Sequence, residues 1–204
     1  MALEVLAIVK HDCPVCDQVL PALDAAGARL VSQSSAEDTA EQVRRLALSR
    51  TPELDVDLEL SARLDPDAVP ALFLLEDGAE RDRVIGLARE RMAALVAQTG
   101  ATLDTDGLPE LRPGCASRTR DPEVADWLAA RQARREGRLK SRELLLGELE
   151  DPFEALHQRG MTDGLPVVPP TPERVVAMLE YTSRDPREIV AEVPPYGGRA
   201  TVEK

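Results

Sequence analysis

Residues 3–16 read LEVLAIVKHDCPVC, and this stretch decides the fold of the N-terminal half. The run LEVLAIV is short and mostly apolar, which predicts a buried β-strand. Apolar residues then recur at helical spacing, and Gly27 is a typical helix end, so the pattern predicts a helix over 15–26. Cys13 and Cys16 therefore lie where a buried strand passes into a helix.

The spacing of these cysteines indicates thiol chemistry. At a helix N-terminus, free N–H groups and the helix dipole favour the Cys13 thiolate over the thiol. Cys16 follows one turn later, close enough to attack a mixed disulfide formed by Cys13. Half of a zinc site has the same spacing, and the chain offers only His11, His157 and Cys115 as further His or Cys ligands. Because no second CxxC occurs, a redox pair is favoured over structural zinc, and a pair without function is the remaining alternative.

A second informative stretch, residues 69–86, reads VPALFLLEDGAERDRVIG. It predicts an apolar strand entered through a proline, a tight turn at Asp-Gly and a return strand. Between the two stretches we expect a strand over 28–31, a helix over 35–49 and a weak strand over 54–60, and after them a helix over 87–99. Helices alternating with strands predict an α/β fold whose sheet is covered on both faces.

Over about residues 1–100, the two stretches together resemble the thioredoxin family. The resemblance implies a thioredoxin-like α/β domain over 1–100. It implies that Cys13 is the catalytic nucleophile and Cys16 the resolving thiol. It also implies that Val69 and Pro70 bind and position the substrate, with a cis proline facing the cysteines.

The chain departs from the family's pattern at two positions. Asp12 precedes the first cysteine where the family usually has tryptophan, and Ala7 stands where typical thioredoxins have a buried carboxylate. Proton removal from Cys16 then needs another base. His11 and Asp12 are candidates for tuning the thiols, with an exposed pair beside the motif as the alternative.

Beyond residue 100, turn-forming residues predict a linker over 101–120. The sequence Asp-Pro-Glu then opens a helical connector over 121–150. The Pro- and Gly-rich segment 151–204 predicts an extended C-terminal arm with one helix at about 172–182. Cys115, in the linker, is a possible accessory thiol that exchanges with Cys13 or with a partner; a lone cysteine without a role is the alternative.

The C-terminal arm carries a second resemblance. Residues 162–171, TDGLPVVPPT, and 193–204, VPPYGGRATVEK, resemble the opening of a UGSC-type protein domain, a family with selenocysteine or cysteine. The chain has no Cys-Gly-Ser-Cys sequence, so the resemblance implies no catalytic residue here. It implies that 151–204 is a partial domain or a partner-binding arm. We therefore expect a protein partner, as a separate subunit, and a hetero- or homo-oligomer.

Composition excludes several classes of function. The chain has 204 residues, a net charge of −12 and 2% aromatic residues, which argues against nucleic-acid binding. The acidic balance and the lack of a long apolar run argue against a membrane protein. The N-terminus lacks the features of a signal peptide, and three cysteines do not make a disulfide framework, so we expect a cytoplasmic protein. We expect no cofactor and no metal.

The leading hypothesis is a thiol–disulfide oxidoreductase or oxidoreductase subunit that acts on a cysteine-containing partner protein. Cys13 would attack and Cys16 would resolve. A rival is a non-redox structural subunit whose C-terminal arm completes the active site of a separate catalytic subunit. A weaker alternative is a thiol carrier for soft metal ions, since paired thiolates suit such ions.

Overall fold

The computed structural model describes residues 3–147 and 149–204. The chain divides into two compact units, Met1–Val124 and Ala125–Lys204. The elements of the first unit are β1 (Leu3–Val9), α1 (Pro14–Ala25), β2 (Arg29–Ser32), α2 (Ala36–Leu46), β3 (Glu53–Leu54), α3 (Glu59–Leu64), β4 (Ala68–Val69), β5 (Ala71–Glu76), β6 (Ala79–Ile85), β7 (Leu87–Ala88), α4 (Arg89–Ala97), β8 (Leu111–Arg112) and β9 (Cys115–Ala116). A 3-10 turn follows at Arg118–Arg120, and then helix α5 (Pro122–Arg135).

A five-stranded sheet of order β3-β2-β1-β5-β6 forms the centre of the first unit. β1, β2 and β3 are parallel, whereas β5 and β6 run antiparallel as a hairpin beside β1. The parallel strands are connected through α1 and α2, and α4 follows the hairpin after the short β7. The predicted thioredoxin-like α/β fold is thereby confirmed for this unit.

The central strand explains why the sheet is covered on both faces. Side chains alternate between the two faces of a strand, so Leu6 and Ile8 point away from Val5, Ala7 and Val9. All five are buried. A strand that buries both faces requires packed layers on each side of the sheet, which the apolar run LEVLAIV predicts.

Local signals place the neighbouring elements. The predicted helix over 35–49 is α2, and the Ser35 hydroxyl caps it by accepting the Asp38 N–H at 3.1 Å. The β5–β6 turn has Asp77 and Gly78 at φ 49° and 82°, the positive values that a two-residue type I′ hairpin requires. The predicted hairpin is therefore confirmed.

The weak strand predicted over 54–60 is wrong. Only Glu53–Leu54 pairs as a strand, and α3 starts at Glu59. The Asp55 carboxylate accepts the N–H groups of Leu60 and Ser61 at 3.1 and 2.7 Å. These bonds satisfy two free N–H groups at the start of α3, so residues 55–58 form a turn and the last two residues of the predicted strand begin a helix.

The segment predicted as a linker, 101–120, belongs to the first unit instead. β8 pairs with β7, and β9 pairs with β4. Buried Leu103 and Leu108 join the main hydrophobic core. Turn-forming residues mark this segment as irregular, but such residues also suit a chain that folds back over a sheet end.

The second unit contains part of α5 together with α6 (Pro152–Gln158), α7 (Pro172–Leu179) and a hairpin of β10 (Ile189–Val193) and β11 (Gly198–Thr201). The helix predicted at about 172–182 is α7. A small core joins the predicted connector to the arm; its buried members are Ala130, Ala133, Leu139, Val176 and Leu179. The connector and arm are therefore one unit. In the described ranges, no helix is long and apolar enough to cross a membrane.

Candidate thiol site

Cys13 sits at the start of α1. It is the N-cap residue, with extended backbone, and Pro14 takes the first helical position, where a proline loses no hydrogen bond. The Cys13 Sγ accepts the Cys16 N–H at 3.3 Å. A sulfur in this place faces the free N–H groups of the helix start, which stabilise a negative charge.

The surroundings of Cys13 lower the pKa of its thiol to about 5. The largest cause is a hydrogen bond from the Cys16 side chain. Burial opposes it, and further hydrogen bonds from the Cys115 thiol and from the backbone of Cys16 and Cys115 assist it. Cys13 is therefore the thiolate of the site near neutral pH. This agrees with the role that the sequence predicts for it, although the role itself stays a prediction.

Cys16 has the opposite character. Its side chain is fully buried, and burial is the main reason that its pKa lies well above the ordinary value. The Cys13 thiolate raises the pKa of Cys16 further, through the hydrogen bond that Cys16 donates and through its charge. Ala7, at the position where the resemblance led us to look for a carboxylate, is a buried apolar residue.

The Val69 carbonyl meets Cys13, next to Pro70, and the role of both residues in binding substrate stays a prediction. The Val69–Pro70 peptide bond is cis, and the Cys13 Sγ lies 3.4 Å from the Val69 carbonyl oxygen, to which it donates in its protonated form. Cys13 and Val69 lie 56 positions apart in the sequence. Cys13 follows the end of β1, and Val69 precedes the start of β5. The two residues come together because β1 and β5 are paired.

Cys115 is the third thiol of the site. β9 runs antiparallel to β4 and places Cys115 opposite Val69. The Cys115 side chain is only partly buried, whereas Cys13 and Cys16 are completely buried. The pKa of the Cys115 thiol is raised to about 11, chiefly by burial. The hydrogen bond to Cys13 and the negative charge of the Cys13 thiolate raise it further. All three cysteines are free thiols here.

Two glycines allow β9 to lie this close. A Cβ on Gly114 would stand 2.6 Å from the Val69 carbonyl oxygen, and a Cβ on Gly86 would stand 2.9 Å from the Arg112 carbonyl oxygen. Both distances are shorter than real side chains tolerate. Gly86 also has φ 73°, a conformation that favours glycine.

A buried polar network holds the end of this segment. The Gln33 amide donates to Ser61 and Ser117 at 2.9 and 2.8 Å, and its oxygen accepts the Arg118 N–H at 3.0 Å. The Arg118 guanidinium donates to the Gln33 carbonyl at 2.8 Å. Sequence reasoning missed Gln33 and Ser117, since nothing in the sequence connects residues 84 positions apart.

The charged residues beside the motif have partners of their own. His11 is bound to Glu41 at 2.6 Å through its Nε2, and its backbone N–H donates to Ser34. Asp12 pairs with Lys10 at 3.5 Å and is largely exposed. The exposed-pair interpretation therefore suits Asp12, and the Lys10 ammonium is the charge that lowers the pKa of Cys115.

The described residues contain no group of three or more His, Cys, Asp or Glu side chains arranged to hold a metal ion. A cleft of about 610 Å³ lies elsewhere, lined by residues that include Leu3, Glu4, Arg29, Arg50 and Thr51. None of the residues that line it is a cysteine.

Comparison with known proteins gives matches to solved structures only. No protein-family model and no curated protein matches the chain. StoA from Bacillus subtilis is 20% identical, with a TM-score of 0.39 over 46% of this chain and 81% of that one. A secreted Mycobacterium tuberculosis disulfide oxidoreductase homologous to E. coli DsbE is also 20% identical, with a TM-score of 0.39 over 48% and 81%. DsbF of M. tuberculosis is 18% identical, with a TM-score of 0.41 over 48% and 81%. The UGSC-type resemblance of 151–204 stays a prediction.

Proposed function

We propose that this protein carries out thiol–disulfide exchange with a cysteine-containing partner protein, with Cys13 as the nucleophile. The observation that supports it best is the site around Cys13, where a helix N-terminus and two neighbouring thiols lower its pKa to about 5. A thiolate is the attacking form in disulfide exchange. No other cysteine of the chain has a lowered pKa.

The exchange runs in two balanced steps. The Cys13 thiolate attacks one sulfur of a partner disulfide; a Cys13–partner disulfide forms, and the second partner sulfur leaves as a thiolate and takes up a proton. A second thiol of this chain then loses its proton and attacks Cys13, which releases the partner sulfur. Two thiols of this chain are oxidised to a disulfide and the partner disulfide is reduced. The reverse sequence oxidises a partner dithiol.

Access to Cys13 sets a condition on this reaction. Cys13 has no exposed surface, and the β4 edge beside it is paired with β9. An incoming peptide that uses the Val69 backbone, as the resemblance implies, must displace β9. This strand pairs with β4 through two residues only, Cys115 and Ala116, so its displacement breaks a short ladder.

The experiment is a covalent trap. A Cys16→Ser, Cys115→Ser variant keeps Cys13 and removes both thiols that resolve a mixed disulfide. We expect it to hold partner proteins through Cys13 that dithiothreitol releases and mass spectrometry identifies. The matched control adds Cys13→Ser. Identical proteins recovered with trap and control would contradict the proposal.

A second candidate function rests on the C-terminal unit, which we propose binds a separate protein subunit. Large apolar side chains are strongly exposed there, including Leu149, Tyr181 and Tyr196 at 100%, 93% and 96%. At these exposures the side chains are available to a partner, and tyrosine is among the residues enriched in protein interfaces. A partner retained by the Cys13→Ser variant, but lost on combined Tyr181→Ser and Tyr196→Ser substitution, would support this structural role. A monodisperse monomer that retains no partner would contradict it.

A further inference from the structure

Cys115 has no place in the two-cysteine scheme that the sequence suggests. It lies on β9, outside the helix that carries the CxxC motif, yet β9 brings it opposite Val69, whose carbonyl contacts Cys13 Sγ at 3.4 Å. Paired residues in an antiparallel ladder have Cα atoms roughly 4.5–5.5 Å apart. Cys115 is thereby held in the shell of groups that surrounds the Cys13 sulfur.

We propose that Cys115 is a redox-active third thiol that forms a disulfide with Cys13 and resolves the mixed disulfide between Cys13 and a partner. This inference rests on the proposed function and assigns its resolving step. The Cys115 sulfur attacks Cys13 in the Cys13–partner disulfide, the Cys13–Cys115 bond forms, and the partner sulfur leaves as a thiolate. Two thiols of this chain are oxidised for each partner disulfide reduced.

The contrast with Cys16 supports this assignment. Cys16 is fully buried, and the buried Ala7 stands at the position where typical thioredoxins have a carboxylate. Ionising a thiol in such surroundings is unfavourable because the charge loses its hydration. Cys115 is partly exposed, and the Lys10 ammonium favours its thiolate. For both thiols, Cys16 and Cys115, the contributions of the Cys13 thiolate disappear once Cys13 is in a disulfide, and burial then remains as the main obstacle to ionisation. This obstacle is smaller for Cys115, because its side chain is only partly buried.

The backbone around Cys115 is also built for close approach. Gly114 leaves no room for a Cβ against the Val69 carbonyl, and Gly86 leaves none against the carbonyl of Arg112. On the other side of Cys115, the Ser117 N–H donates to the Asp67 carbonyl at 3.1 Å, and the buried Gln33 amide binds Ser117. The thiol is therefore held from both sides.

Cys115 also connects the buried pair to the protein surface. If Cys13 and Cys16 form a disulfide, attack of Cys115 on Cys13 yields a Cys13–Cys115 disulfide and frees the Cys16 thiol, with no net change in oxidation. The new disulfide has one sulfur at a partly exposed position, where an external thiol reaches it. The oxidised form then becomes accessible without unfolding of α1.

The test uses the full chain and glutathione disulfide as the probe. Reduced Cys16→Ser is mixed with the probe, and disulfides are assigned by peptide mapping. We expect an internal Cys13–Cys115 disulfide, a loss of two hydrogens in mass and two glutathione thiols released per chain. Cys16→Ser, Cys115→Ser should instead keep glutathione on Cys13. Ala116→Ser in the Cys16→Ser background is the matched control, since it alters the same strand and leaves the thiol.

The outcomes separate the two proposals. A Cys16→Ser protein that keeps glutathione on Cys13 while Cys115 stays a free thiol overturns the role of Cys115 and leaves the proposed function intact. The proposed function is overturned if Cys13 acquires no glutathione in Cys16→Ser, Cys115→Ser and forms no disulfide in Cys16→Ser. Circular dichroism that matches wild type must show that both variants are folded. Glutathione found on Cys115 of Cys16→Ser, with Cys13 free, overturns the assignment of the internal disulfide.

Discussion

Val69 and Cys115 face each other in an antiparallel pair that joins the start of the sheet hairpin to a strand 46 positions later in the chain. Val69 therefore neighbours two cysteines. Its carbonyl oxygen lies 3.4 Å from the Cys13 sulfur, and its partner across the strand pair is Cys115. The CxxC motif is therefore one part of a three-thiol site. The largest cause of the lowered Cys13 pKa is the Cys16 side chain on the helix, and the folded-back segment adds the contribution of Cys115.

The pH dependence of thiol labelling follows from this arrangement. The pKa of Cys13 is lowered to about 5 in the folded protein, whereas an ordinary thiol has a pKa near 8.5. The thiolate fraction rises with pH, so carbamidomethylation by iodoacetamide, which reaches the buried Cys13 when β9 opens, should be half-maximal near pH 5 and constant above about pH 6. Peptide mapping of native protein at pH 6.5 should find Cys13 labelled and Cys16 and Cys115 unlabelled, since both of the latter have raised pKa values.

Denatured protein is the control for this experiment. Without the fold, the three cysteines should label alike, and slowly, at pH 6.5. A native protein whose Cys13 labels with a midpoint above pH 8 would contradict the stabilised thiolate.

Removing the third thiol should raise the pKa of Cys13. The Cys115 thiol donates a hydrogen bond to the Cys13 thiolate, and hydrogen bonds to charged groups contribute roughly 1.5–3 kcal/mol. Since one pKa unit corresponds to about 1.4 kcal/mol, Cys115→Ala should raise the pKa of Cys13 by about one to two units. Thiolate absorbance against pH measures the change.

Cys115→Ser is the conservative comparison, because a serine hydroxyl also donates a hydrogen bond. It should shift the pKa of Cys13 less than Cys115→Ala does. Equal titration curves for wild type and Cys115→Ala would show that the thiol contributes nothing to the charge on Cys13.

The site divides into a part that local sequence predicts and a part that it does not. The run LEVLAIV, the CxxC and the Asp-Gly turn each act within a few residues, so β1, α1 and the β5–β6 hairpin follow from periodicity and turn chemistry. Val69 and Pro70 were found only through a family resemblance. The position of Cys115 depends on a ladder pairing and on close backbone approaches at two glycines, and neither leaves a periodic signal.

The same reasoning explains the errors beyond residue 100. A segment rich in turn-forming residues has the same kind of sequence whether it is a solvent-exposed linker or folds back over the end of a sheet. What distinguishes the two is where its backbone groups find partners: the Ser117 N–H donates to the Asp67 carbonyl, and the Arg118 N–H donates to the Gln33 side-chain oxygen. In the second unit, the carboxylate of Glu203 accepts the N–H groups of Lys140 and Ser141 at 2.8 and 2.7 Å, another long-range tie that sequence alone does not reveal.

Truncation of Gln33 should weaken the hold on β9. Gln33→Ala removes the Gln33 hydrogen bonds to the buried Ser61 hydroxyl and the Arg118 N–H and one of the hydrogen bonds of the Ser117 hydroxyl, which keeps Thr119 as a partner. Buried polar groups left unpaired cost about 1–3 kcal/mol each. We expect a lower denaturation midpoint and faster amide hydrogen exchange at 115–119. Gln132→Ala is the matched control, because the Gln132 amide binds Glu136 on an exposed helix face. Equal stability losses in the two variants would contradict a special role for Gln33.

Adding one methyl group at Gly114 should separate the third thiol from the first. The Cβ of Gly114→Ala would lie 2.6 Å from the Val69 carbonyl oxygen and 3.0 Å from the Ala68 Cβ, so backbone must move. Overpacking of this kind costs typically about 1–3 kcal/mol. Displacement of β9 uncovers Cys13, so a bulky maleimide should label Cys13 faster while its pKa rises toward the ordinary value. Gly198→Ala is the control, since a Cβ there meets nothing within 4 Å. If Gly114→Ala leaves both the labelling rate and the pKa of Cys13 unchanged, then β9 does not cover the thiol in solution.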